Sequence, residues 1–308
     1  MITRASYKNV TWVDLENPTQ AEARTLIEEF AIEPIVADEL LSPTLRPKVD
    51  VHEKFIYLIL HFPTAHAGHI EKGETQKTKE VDFIIGEDFI ITTHYDSIDA
   101  LHDFSKVFEV NSILDKTKMG EHAGYVFYHM IQHFYRQLHN RVESVRDEMN
   151  EVEQQIFSGN ERAMVNEISE LNRILLTYKS ALSAHQEVLR SFEHAGETFF
   201  GKAFIYHLRG IVGEYFKVAQ AIEGSKEYLT ELRQTNDSLL FTKQNEIMKI
   251  LTIMAFVTFP LSLIAGIFGM NTSNMPFVGN PFDFYIILIG MMALTFAMFI
   301  YFKAKRWL

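Results

Sequence analysis

Residues 249–303 read KILTIMAFVTFPLSLIAGIFGMNTSNMPFVGNPFDFYIILIGMMALTFAMFIYFK, and between Lys249 and Lys303 the sole charged side chain is Asp283. Ile250–Phe268 and Phe284–Phe302 are each 19 residues long and uncharged. That is about the length an α-helix needs to cross the hydrocarbon core of a bilayer. The link between them begins Gly269-Met270-Asn271-Thr272-Ser273-Asn274-Met275-Pro276, short and polar. Two spans joined in this way imply a membrane protein.

Outward from these spans, composition narrows the function. Forty acidic against 29 basic residues leave a net charge of −11, and the mean hydropathy of −0.03 averages a charged stretch up to about residue 246 with the apolar one that follows. An acidic chain is a poor partner for nucleic acid, whose phosphates need Lys/Arg patches, and it draws cations toward itself. Zero cysteines exclude disulfides, thiolate metal sites and thiol chemistry. The N-terminal residues lack the apolar core of an export signal. Lys243 and Lys249 precede the first span, Lys303, Lys305 and Arg306 follow the second, and the loop 272–283 has no Lys or Arg. Basic flanks favour the cytoplasmic side. The expected location is the cell (inner) membrane, multi-pass, with both termini cytoplasmic.

Upstream, residues 1–120 read as a cytosolic α/β domain. Val10–Leu15 alternates as a strand; Asn17-Pro18 predicts a helix start with Asn17 as N-cap; Pro34–Leu41 is a short helix; Phe55–Leu60 is a β-prone run; Val81–Ile85 and Phe89–His94 flank a Gly86-Glu87-Asp88 hairpin turn. His66–Lys79 is a polar loop, and His61, His66 and His69 read as strand and loop histidines rather than metal ligands. Residues 121–198 predict long antiparallel helices. Val126, Met130, Phe134, Leu138, Val142, Val145, Met149, Val152 and Ile156 mark the first, Ser158-Gly159-Asn160 the break, and 162–189 the second. His129 and His133 lie one helical turn apart, a spacing that suits metal, but the Glu of the zinc-protease motif is missing, so a packing role is expected. From Phe199 no proline occurs before Pro260. An unbroken helix to Phe268 would be roughly 105 Å long, a stalk (199–246) that becomes a membrane helix (247–271). The external loop is 272–283, the second span 284–302 and the basic tail 303–308.

Steps of three and four along the first span place Asn245, Met248, Thr252, Ala255, Phe259, Ser262, Gly266 and Gly269 on one stripe. Ile250, Ile253, Met254, Val257, Leu261, Ile264 and Phe268 form the opposite face. Small and hydroxylated residues on a membrane helix serve close packing or line an ion path. In the second case hydroxyls and amides contact a hydrated ion, and Met248 and Phe259 form constrictions that gate by dewetting. One chain brings one such helix to an axis, so a pore requires a symmetric oligomer.

Gly269-Met270-Asn271 with Met275-Pro276, together with Asn245–Thr252, Pro260-Leu261, Ile264–Phe268, the basic tail ending in Trp307-Leu308, and Arg46-Pro47-Lys48-Val49-Asp50 upstream, resembles the CorA-type magnesium transporter family. The resemblance implies a homopentameric funnel: an α+β cytosolic domain with long helices that continue into a two-helix transmembrane domain. It implies that Gly269, Met270 and Asn271 are the selectivity signature, with Asn271 ringing the outer mouth and binding hydrated Mg²⁺. It also implies pore-facing Asn245, Met248, Thr252, Phe259, Ser262 and Gly269, and Gly266 shares their stripe. The ion carried is chiefly Mg²⁺, with Co²⁺ or Ni²⁺ as further substrates. The resemblance also allows Mg²⁺ as a regulatory ion, and no organic cofactor is expected. Partners are further copies of the chain, the bilayer and divalent cations.

Departures from the family pattern accompany the match. Phe277 stands where an acid often follows Met-Pro. In the family's cytosolic sensing site Asp38 and Glu39 match the first set of acids, but Gly210 and Gln132 fall where helix acids are expected. Glu214, one turn on from Gly210, is the substitute, and weakened Mg²⁺ feedback is expected. Two alternatives compete with magnesium influx. One is the zinc-transporting branch of the superfamily, in which the middle residue of the signature usually differs. The other is a membrane-anchored oligomeric scaffold or sensor, which has no need of Asn271 at the outer turn. An enzyme is not expected: no phosphate loop, nucleophile elbow or acid–base pair is evident, and the remaining acids read as solvated helix faces.

Overall fold

The computed structural model describes residues 2–44, 46–63, 78–114, 119, 121–270, 279, 281–305 and 307. They form two compact units, Met1–Arg233 and Gln234–Leu308. The first is built on a six-stranded sheet of β1 (Ile2–Tyr7), β2 (Val10–Glu16), β3 (Lys48–Val51), β4 (Ile56–Pro63), β5 (Thr78–Ile85) and β6 (Phe89–His94), in the order β1-β2-β6-β5-β4-β3. Only β2 and β6 run parallel; the other pairs are antiparallel.

Both faces of the sheet are covered, which explains why β4 is a continuous apolar run instead of an alternating one. On one face Val13, Leu15, Tyr57, Ile59, Ile84 and Ile91 pack with Leu26 of α1 (Gln20–Phe30) and Val36 and Ala37 of α2 (Pro34–Glu39). On the other, Trp12 meets Phe104 and Phe108 of α3 (Asp99–Leu114) edge-on at 5.6 and 5.5 Å, and Phe83 meets Phe127 of α4 (Ala123–Phe157) at 5.3 Å. The β5–β6 hairpin closes with Gly86 N donating to Phe89 O at 2.8 Å. A Cβ at Gly86 would lie 2.3 Å from the Phe89 ring, so glycine is required there.

Four local expectations change. Helix α1 starts at Gln20 with Thr19 as N-cap, not at Asn17. Thr19 Oγ1 accepts from Glu22 N while the Glu22 carboxylate accepts from Thr19 N at 2.8 Å, a capping box that satisfies two end groups at once. Asn17, at φ 48°, instead donates its N–H to His94 O. The helix expected over 162–189 is two, α5 (Glu161–Leu182) and α6 (His185–Phe200). The break brings His185 into the core, where Nε2 donates to His61 O at 2.9 Å and Nδ1 accepts from the Tyr135 hydroxyl at 2.8 Å. The stalk does not begin at Phe199: Gly201, at φ 85°, ends α6, a 3-10 turn follows at Lys202–Phe204, and α7 runs Ile205–Phe268. Strands β1 and β3 and helix α3 were not anticipated, although Leu101, Phe104 and Phe108 of α3 have helical spacing.

Within the first unit α7 buries Leu208, Ile211, Tyr215, Val218, Ile222, Ser225, Leu229 and Leu232, a 3.5-residue repeat of the kind that seats one helix continuously along others. In the second unit α7 contains Pro260 without interruption, and α8 (Asp283–Ala304) follows. The two helices are long and apolar enough to span a membrane, and their apolar windows are 6% and 0% buried, unlike the core helices of a soluble protein.

Candidate ion-conduction site

The apolar side of α7 is partly covered. Ile253 is buried, Val257, Leu261, Ile264 and Phe268 are half-buried, and Leu261 lines an apolar groove with Ile289, Met292 and Phe296 of α8. Ile250 and Met254, expected on that side too, remain exposed. The opposite stripe is left largely uncovered. Asn245, Met248, Ser262 and Gly266 are exposed, Phe259 is 73% exposed, and Thr252 is half-buried. Nothing lies within 4 Å of a Cβ built on Gly266. Thr252 Oγ1 donates to Met248 O at 2.7 Å, so its proton is used locally and its lone pairs are what it presents outward.

The helix ends as a glycine-dependent turn. Gly269 N donates to Ala265 O at 2.9 Å and Met270 N to Ile267 O at 3.3 Å. A Cβ at Gly269 would lie 3.0 Å from the Ala265 carbonyl oxygen, a contact that only glycine avoids without a shift. Met270 is exposed. Asn271, Met275, Pro276 and Phe277 lie outside the described residues, as do His66 and His69.

The residues expected to regulate, which the resemblance places between subunits, lie on separate elements of the single chain. Asp38 is exposed on α2. Glu39 Oε2 accepts from Lys48 Nζ at 2.6 Å, and the same ammonium reaches Asp50 at 2.8 Å. Burial pushes the Lys48 pKa down, but Asp50 and Glu39 outweigh it and hold it above the ordinary lysine value. Glu214 pairs with Lys217 at 2.8 Å. At the positions lacking the expected acids, a Cβ on Gly210 would sit 3.2 Å from the Tyr128 ring, and Gln132 Nε2 donates to the Tyr128 hydroxyl at 3.0 Å. A side chain at 210 would need the Tyr128 ring to give by a few tenths of an ångström. No three His, Asp or Glu side chains converge on a metal position among the described residues. His133 accepts from Gln137 Nε2 at 3.0 Å and His129 packs on Tyr128; burial lowers the pKa of both histidines.

One cluster escaped the sequence reading. Glu80 and Asp82 are 6% and 0% exposed on β5. Both point toward the α1/α2 side with Tyr57, His61 and Tyr95 nearby. The signal was present in Lys79-Glu80-Val81-Asp82-Phe83, two acids two residues apart in an apolar strand, which must share a face.

The chain matches the family model described as "CorA-like Mg2+ transporter protein" over residues 7–306. It is 24% identical over 299 residues to the cobalt/magnesium transport protein CorA of Thermotoga maritima, covering 97% of this chain and 83% of that one. It is 25% identical over 301 residues to the protein of the same name from Methanocaldococcus jannaschii, covering 96% and 91%. The solved structure of the complete CorA magnesium transporter from Methanocaldococcus jannaschii superposes with a TM-score of 0.82 at 22% identity, covering 99% of this chain and 94% of that one.

Proposed function

Since the chain belongs to the CorA-like Mg²⁺ transporter protein family, a family of membrane transporters rather than enzymes, we propose that it conducts hydrated Mg²⁺ into the cell down the membrane potential, along the uncovered stripe of α7. The observation that carries this reading is the division of the first span. On its large apolar side Ile253 is buried and Val257, Leu261, Ile264 and Phe268 are half-buried, while Asn245, Met248, Phe259, Ser262 and Gly266 of the other stripe are exposed in a single chain.

Five copies, as the resemblance implies, would bring five such stripes to one axis, with the Gly269-Met270-Asn271 turn at its outer end. Mg²⁺ gives up water reluctantly. A ring of neutral Asn271 amide oxygens holds the hydrated ion through its waters, tightly enough to select it and loosely enough to release it. A carboxylate ring would bind more strongly, and the span provides none. Further in, Thr252 and Ser262 oxygens replace bulk water as hydrogen-bond partners. Met248 and Phe259 narrow the path with apolar walls that empty of water when they close. The acidic cytoplasmic unit attracts the cation at the inner end. Asp38, Glu39 and Glu214 are the acids available for feedback by Mg²⁺.

Flux of Mg²⁺, Co²⁺, Ni²⁺ and Zn²⁺ into liposomes under an imposed potential, with and without a proton gradient, tests the reading. Mg²⁺ uptake that follows the potential and ignores the proton gradient is expected. Asn271→Ala lowers Mg²⁺ flux about tenfold, the worth of one hydrogen bond to a charged group. Proton-driven Zn²⁺ uptake in preference to Mg²⁺ points to the zinc branch. Unchanged Mg²⁺ flux in Asn271→Ala overturns the assigned path.

A further inference from the structure

Glu80 and Asp82 stand two residues apart on the same face of β5, almost completely buried. Their partners differ. Glu80 accepts from Thr44 N at 2.9 Å (Oε1) and 2.8 Å (Oε2), from Thr44 Oγ1 at 3.2 Å, and from His61 Nε2 at 3.0 Å. His61 Nε2 is also 3.1 Å from Thr44 O, so this nitrogen carries the proton and shares it between the two acceptors. Every neighbour of Glu80 therefore donates, which is the environment of an ionised carboxylate.

Asp82 receives only distant phenols on Oδ2, Tyr57 at 3.2 Å and Tyr95 at 3.5 Å. Its Oδ1 is buried with no N–H or O–H donor in reach. An ionised Asp82 would leave two adjacent charges in an apolar sheet and a bare oxygen beside Glu80. A proton on Oδ1 removes both problems, since Asp82 then donates to the Glu80 carboxylate.

We propose that Glu80 and Asp82 form a proton site, a carboxyl pair that holds one proton between them and through it clamps the segment joining α2 to β3. Glu80 grips that segment at Thr44. On the other side the Tyr57 ring, whose hydroxyl bonds Asp82, carries Lys48 Nζ over its face at 4.9 Å, and Lys48 bonds Glu39 at the end of α2. The pair is thus connected to both ends of the segment that follows Asp38 and Glu39. The titratable and charged groups facing it are Tyr57 and His61 of β4, Tyr95 after β6, and Glu39 and Lys48 behind Tyr57. Asp96 lines the same 410 Å³ cavity as Glu80, while the α5–α6 turn contributes only Ser180, Ala181, Ser183 and Ala184. Burial and the Glu80 charge push Asp82 well above the usual carboxylate range; burial also raises Glu80, but His61 and Thr44 outweigh it and hold Glu80 below. With Asp82 raised, the proton leaves only as pH rises. Two charges then face each other and the grip on Thr44 loosens.

Infrared difference spectra and hydrogen exchange of the full chain in lipid nanodiscs test this. A protonated-carboxyl band is expected at pH 7 and is lost in Asp82→Asn. Protection of the Thr44 amide, corrected for intrinsic exchange, falls with rising pH in the parent. It stays flat in Asp82→Asn, whose amide donates to Glu80 at every pH. Glu80→Gln removes the neighbouring charge and should move the band's titration down by about one pH unit or more, so it tests the pair even where Asp82→Asn folds poorly. Absence of an Asp82-dependent band at pH 7, identical pH profiles in parent and Asp82→Asn, or an unmoved titration in Glu80→Gln overturns the proposal.

Discussion

At the scale of single residues, His185 shows how burial sets charge. It is fully enclosed, and burial pushes its pKa down to about 4, only partly offset by its bond to His61 O. Both ring nitrogens are occupied as in the neutral tautomer, Nε2 donating and Nδ1 accepting. The folded pKa lies below the ordinary value near 6.5, so the unfolded chain binds the proton first. The neutral fold is at full advantage above about pH 6.5 and loses it as pH falls toward 4, by ~3 kcal/mol. Thermal unfolding of the full chain should show this acid slope, and His185→Gln should flatten it while lowering the midpoint at pH 7. An unchanged slope in His185→Gln assigns the acid loss to other groups. His185 was invisible as a core residue in the sequence, because its neighbours Ala184 and Gln186 are unremarkable and its partners Tyr135 and His61 are far away along the chain.

Among elements, α7 carries most of the argument. Its seam of Leu208, Ile211, Tyr215, Val218, Ile222, Leu229 and Leu232 is buried in the first unit. Ile222→Ala should destabilise that unit by about 2–4 kcal/mol, since a buried branched side chain leaves a cavity. Gln220→Ala, on the exposed side, should fall within about 0.5 kcal/mol. Denaturant unfolding followed by tryptophan fluorescence separates the two, Trp12 lying in the first unit's core. Equal effects would mean that the seam does not hold the helix. The helix itself was legible from its periodicity and lack of proline. Its start was not, because a glycine at φ 85° is indistinguishable in sequence from a glycine within a helix such as Gly213.

For the whole molecule, the question is what couples ion concentration to conduction. Glu39 is paired with Lys48, Tyr128 lies close to Gly210, and Gln132 donates to that tyrosine. The expectation of weakened Mg²⁺ feedback rests on these positions, where the resemblance calls for acids and the chain has Gly210 and Gln132. Removing Mg²⁺ should therefore change limited proteolysis of the membrane-embedded protein little, less than about twofold in rate, and Asp38→Ala should behave like the parent. Strong Mg²⁺-dependent protection abolished by Asp38→Ala would sink this expectation.

The sequence by itself determined the two spans, the small and hydroxylated stripe of α7, the hairpin at Gly86, and the Gly269-Met270-Asn271 match. All of these depend on local spacing, residue type and chain stiffness, which are written in consecutive residues. The tertiary structure alone decided that Glu80 and Asp82 are buried together, that His185 is enclosed, that Lys48 pairs with Glu39, and that Tyr128 lies against Gly210. Each is a contact between residues from different strands or helices or a result of covering both sheet faces. The cost of burying a polar group depends on which partners the fold delivers, and that is not encoded within a few residues of the group itself.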